Sequence, residues 1–179
     1  MEQLQTIQNL DGSTTEYTDI SLTPGHLERL LRELFEQHWR EIIFGPCIQG
    51  AVFEVQLTEQ PKKIAMFDGY LTVDVGPWHF HLCIDEHKDV PVAELARQRQ
   101  VARAAFFQDK RSTGHVLGSW GLRLWNGLGE QMITIFFPNP YLTDAQKIRP
   151  EPDWRRLTLW QQLRQRYAGT AQGIASVAD

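Results

Sequence analysis

Cysteine is scarce in this chain. Cys47 and Cys83 are the two among 179 residues and they form no CxxC pair, so neither a disulfide framework nor a ribbon-type zinc site is available. Basic runs are missing as well. With a net charge of −4 the chain lacks the phosphate contacts that supply most nucleic-acid affinity, and no nucleic-acid partner is expected. No apolar run approaches the roughly 20 residues that span a bilayer, which leaves no membrane partner. The start MEQLQTIQNLDGSTTEY has no basic region followed by an apolar stretch, so a cytoplasmic protein without signal peptide is expected. There is no GxSxG elbow, papain-like cysteine motif, P-loop or GxGxxG. Acyl transfer, nucleotide hydrolysis and Rossmann-type hydride transfer therefore lack their signatures, no catalytic residue is named, and the reading leans away from an enzyme.

What is present is an ordinary globular composition, 42% apolar and 22% charged, in a length that fits one domain over residues 1–179. Residues 1–22 are polar and turn-rich and are expected to form a loose arm. A helix should start near Thr23-Pro24, carry Leu27, Leu30, Leu31, Leu34, Phe35 and His38 on one stripe, and end at Gly45-Pro46. From Cys47 the period shortens. IQGAVFEVQL, KIAMFDG, YLTVDV and WHFHLCI, separated by turn residues, predict an antiparallel meander. A short helix fits from Pro91. Ser119–Trp125 and Gln131–Phe137 flank Asn126-Gly127-Leu128-Gly129, which predicts a central hairpin. Asp153 can cap a last helix bearing Trp154, Leu157, Trp160, Leu163 and Tyr167, and residues 169–179 are expected to fray. The fold class is α+β: an antiparallel sheet of meander and central hairpin, with N- and C-terminal helices packed on it.

Chemistry concentrates at Trp78-His79-Phe80-His81-Leu82-Cys83-Ile84. A strand has a side-chain period of two, so Trp78, Phe80, Leu82 and Ile84 share one face, and His79, His81 and Cys83 the other. The two histidines point the same way with Cα atoms about 6–7 Å apart, and His87 follows closely. Imidazoles suit zinc, copper, iron and nickel, and also haem iron. Two readings stay open at this point: a metal-dependent enzyme with a divalent metal held by His79, His81 and His87 with a carboxylate, or a protein that binds a metallated tetrapyrrole. The second needs a broad aromatic wall, an imidazole ligand and cations for propionates. Arg103 and Arg123 are candidate propionate partners, and Trp78 or Trp125 could stack on the macrocycle. Trp78 and His79 can touch one flat ligand only if Gly76-Pro77 bends the strand. A third reading leaves HFH as the solvent face of an interaction module with no small ligand.

Residues 105–136 carry a resemblance. Ala105-Phe106-Phe107-Gln108-Asp109-Lys110-Arg111, Leu122-Arg123-Leu124-Trp125-Asn126 and Gly129-Glu130-Gln131-Met132-Ile133-Thr134-Ile135-Phe136 resemble three successive passages of the haem-utilisation family (the HutX, ChuX and HemS type). Upstream, KIAMFDGYLTVDVGPWHFHLCIDEH resembles that family's strand–strand segment, so the likeness covers about residues 63–137. It favours strand over helix for 103–110. It implies a β-sheet module with flanking helices, often a homodimer, that binds haem in the cytoplasm for utilisation, storage or transfer.

Overall fold

Two antiparallel sheets share one core, and a helix lies between them in the computed structural model, which describes residues 4–48, 50–110 and 118–168. The larger sheet has six strands in the order β1 (Leu4–Gln8), β2 (Thr14–Asp19), β9 (Val101–Lys110), β10 (Ser119–Asn126), β11 (Gln131–Phe136) and β3 (Ile43–Gly45). The smaller is the meander β6 (Lys63–Phe67), β7 (Tyr70–Asp74) and β8 (His79–Cys83). Two-residue strands β4 (Cys47–Ile48) and β5 (Ala51–Val52) pair with each other.

Helix α1 (His26–Gln37) puts Leu27, Leu30, Leu31, Leu34 and Phe35 into the core. Phe35 meets Phe44 of the large sheet at 5.0 Å and Phe80 of the small sheet at 5.4 Å, so one side chain joins both layers. Helix α2 (Ala93–Arg99) is followed directly by β9. A 3-10 turn, Trp154–Leu157, leads into α3 (Thr158–Ala168), with Asp153 accepting from the Arg155 N–H as its cap. Leu159, Trp160, Leu163 and Tyr167 of α3 are buried, and Trp160 meets Phe106 on the core side of the large sheet. Tyr167 OH donates to Glu33 at 2.7 Å, which ties α3 to α1. Among the described residues no helix is long and apolar enough to cross a membrane.

Several expectations are corrected. Residues 4–19 are not a loose arm: β1 and β2 form a hairpin stitched to β9 through β2. All five residues of β1 are exposed, so its strand character comes from backbone pairing and leaves no buried alternation. Helix α1 ends at Gln37 rather than at Gly45-Pro46, because Ile43–Gly45 pair with β11 instead. His38 consequently leaves the apolar stripe and bonds Glu41 at 2.9 Å. IQGAVFEVQL gives only β4, β5 and a bridge between Phe44 and Val55. Trp154 is exposed rather than on the buried stripe of the last helix. Residues 169–179 lie outside the described residues.

Candidate functional site

Side-chain alternation divides the small sheet into two faces. Ile64, Met66, Leu71, Val73, Phe80 and Leu82 point into the core, and the opposite side is the histidine face. Its register sets Lys63, Asp74 and His79 in one row, Ala65, Thr72 and His81 in the next, and Phe67, Tyr70 and Cys83 in the last. His79 and His81 are exposed, and their ring centroids lie 5.0 Å apart. The Thr72 hydroxyl and His81 Nδ1 share a 2.7 Å hydrogen bond. This fixes one imidazole and leaves its Nε2 with no bond from a described residue. His79 has no polar partner among the described residues.

His87 does not join them. Its Nε2 lies 3.1 Å from Asp68 Oδ2, and its ring packs against Tyr70 at 5.1 Å. Asp68 also accepts from the backbone N–H of Lys88 at 2.8 Å. The 84–89 segment thus folds back across Gly69, whose carbonyl accepts from Ile84 and Asp85. With φ +80 and Asp85 and Glu86 carbonyls 2.6 Å from an added Cβ, position 69 has room only for glycine. The segment covers Cys83, which donates to Asp85 O at 3.5 Å. Burial pushes the Cys83 thiol up, and burial together with that thiol does the same for Tyr70. The expected His79, His81 and His87 metal triad is therefore corrected: among the described residues no three His, Cys, Asp or Glu side chains converge on a metal position.

Arg103, Arg123 and Trp125 sit elsewhere, on the side of the large sheet that faces away from the shared core. Arg103 Nε donates to Asp19 and Nη2 to Gln5, each at 2.8 Å, and its guanidinium lies over Trp125 and Tyr17. Arg123 Nη1 donates to Tyr17 OH at 2.5 Å and lies 4.2 Å over the Phe107 ring. Among the described residues no hydrogen bond, ion pair or ring contact links these groups to His79 or His81. The single constellation of histidines, arginines and Trp125 is corrected to two separate faces. Trp78 precedes β8 in the Gly76-Pro77 turn and is 77% exposed.

A cavity of about 490 Å³ opens in a third place, between the 138–159 segment and the α1–β3 connection. Trp120, Phe137 and Leu159 form a buried apolar floor, and Arg40, Arg155 and Arg156 stand at its edge. No histidine or cysteine lines it. Sequence reading missed it because its walls come from segments about a hundred residues apart, none carrying a motif.

A family described as one of unknown function, DUF7676, matches residues 4–169. No curated protein matches the sequence. The structure of the heme binding protein ChuX is similar at a TM-score of 0.48 and 16% identity, covering 86% of this chain and 76% of that one. A crystal structure of ChuX gives 0.47 and 16%, over 86% and 78% of the two chains.

Proposed function

The chain belongs to the family of unknown function DUF7676, and from its site geometry we propose that it binds haem or a related metallated tetrapyrrole on the histidine face, without transforming it. The observation that carries this reading is the pair of exposed imidazoles 5.0 Å apart, neither with its Nε2 bonded by a described residue. Neutral imidazole is a usual axial ligand of haem iron. His79 or His81 would hold the iron of such a group, and Ala65, two strands from His81 in its row, projects little from that face. Phe67 and Trp78, 79% and 77% exposed, offer apolar surface at the margins. Lys63 stands two strands from His79 in the same row and replaces the two arginines as the propionate partner. The resemblance of residues 63–137 to the haem-utilisation family supports the same ligand. Cytoplasmic action and pairing as a homodimer belong to this proposal, with exposed β1 as a free edge.

Haem titration followed by absorption tests it. The full-length protein is expected to give a saturable Soret band that weakens in His79→Ala or His81→Ala and persists in Arg103→Ala. A flat titration, or one indifferent to both histidines, overturns it. A second reading is favoured by the exposure of the pair: His79 and His81 line neither of the two main cavities among the described residues, and Trp78 and Phe67 are open to a protein surface. Under this reading the histidine face docks a partner protein, and haem binds no better than to a His79→Ala, His81→Ala double variant.

A further inference from the structure

The cavity beside the 138–159 segment carries an inference independent of the histidine face. At about 490 Å³ it falls in the range of small-molecule sites, roughly 300–1,000 Å³. Its polar wall is mostly committed to the protein itself. Arg156 pairs with Asp144 and donates to Asn139 O, and Arg155 makes a two-bond fork with Asp153. Glu41 is held by His38. Ser119 donates to Asp109, Thr158 to Arg155 O, and Asn139 is bonded at both ends of its amide. Gln56 donates its amide to Arg40 O.

Subtracting these leaves three lining side chains with no hydrogen bond or ion pair among the described residues: Arg40, Glu54 and Gln146. They are one cation, one anion and one neutral amide. Arg40 is braced over the Trp39 ring at 4.7 Å, which leaves all five guanidinium donors open. Gln146 is presented from a left-handed backbone position, φ 56, at the tip of a turn closed by Thr143 and Lys147. Below them lie Trp120, Phe137 and Leu159. A ligand that answers all of these has a carboxylate, an ammonium, an amide between them and apolar groups. A bare carboxylate would face Glu54 without compensation, and a bare amine would face Arg40.

We propose that this cavity binds short apolar peptides with both ends free, of about two residues. Arg40 takes the carboxylate, Glu54 the ammonium, Gln146 the peptide group, and the Trp120–Phe137–Leu159 floor the side chains. No described histidine, cysteine, methionine or tyrosine, the usual axial ligands of haem iron, lines the cavity, so this binding is separate from the tetrapyrrole reading.

Calorimetric titration of the full chain with leucyl-phenylalanine, its N-acetyl form and its C-terminal amide tests the assignment. The free dipeptide is expected to bind one to one, and each blocked form about tenfold more weakly, the loss of one charge-assisted bond. In Arg40→Gln the amide and the free acid should bind alike, and in Glu54→Gln the acetylated and free forms should. Both side chains are exposed, so neither change threatens folding. The assignment is overturned if no dipeptide binds, if blocking either end makes no difference, or if the discrimination survives in the matching variant. Loss of dipeptide binding in His79→Ala would also overturn it, by moving the site to the histidine face.

Discussion

Each sheet turns one side to the shared core and one side away, and the two outward sides hold nearly all the residues that the sequence marks for chemistry. On the small sheet these are imidazoles, exposed, and apart from the His81 Nδ1 that Thr72 bonds, no described residue uses their ring nitrogens. On the large sheet they are guanidiniums, and their donors are committed: Arg103 to Asp19 and Gln5, Arg123 to Tyr17. Their planes also lie on the rings of Trp125, Tyr17 and Phe107. Beneath them Tyr17, Ala105 and Phe107 form a small second core. Residue type points to a chemistry, and unspent polar atoms decide whether it is available. Substitutions on the arginine face should therefore cost stability, and those on the histidine face should cost ligand.

The largest effect expected is Phe107→Ala. The ring is fully buried and lies where an added Cβ on Gly121 would come within 2.2 Å of it. Its removal should destabilise by about 3–5 kcal/mol in urea unfolding, and a loss under about 1 kcal/mol would show that this face is not packed. Arg123→Ala comes next at about 2 kcal/mol, in keeping with a hydrogen bond to a charged group and a stranded Tyr17 hydroxyl. Its haem titration should match the unchanged protein. If a folded Arg123→Ala loses the Soret band, the separation of the two faces fails. His79→Ala and His81→Ala should reverse the pattern: stability within about 0.5 kcal/mol, as for exposed positions, and a weakened Soret band.

The same contrast explains what could be read beforehand. The turn Asn126–Gly129 sets the β10–β11 hairpin, and Asp68-Gly69 the β6–β7 turn; both follow from glycines at positive φ flanked by alternating side chains. The helix stripe from Leu27 to Phe35 follows from its spacing. The β1 strand is illegible because every residue in it is exposed, and burial is what writes a pattern into sequence. The histidine pair follows from the two-residue period alone. The distance between His79 and Arg123 does not, because it depends on which sheet each strand joins. Strand order β1-β2-β9-β10-β11-β3 draws on pairings such as Thr15 with Asp109, far apart in the chain and unmarked by periodicity. The place of His87 is illegible for a similar reason: its partner Asp68 lies in a turn nineteen residues earlier.

The smallest effect compares the two cysteines, one near each face. Cys83 ends the histidine face under the 84–89 segment and is 2% exposed, while Cys47 lies half-buried near Thr134 and Arg123. Burial raises both thiols above their ordinary value. A thiol raised in the folded state binds its proton more tightly there than in the unfolded chain. Its contribution to stability is complete below the unfolded value, near 8.5, and is lost as the pH rises through the folded value. Unfolding free energy should therefore fall from about pH 8.5 upward, with a shallower slope in Cys83→Ala. In thiol titration with Ellman's reagent at pH 8, Cys47 should react first and Cys83 only as fast as the 84–89 segment opens. Gly69→Ala, which forces that segment off its seat, should bring the Cys83 rate up towards that of Cys47 while leaving Cys47 unchanged. Equal rates in the unaltered protein would mean that the covered end of the histidine face is open, and that Cys83 must be counted with His79 and His81 as an available ligand.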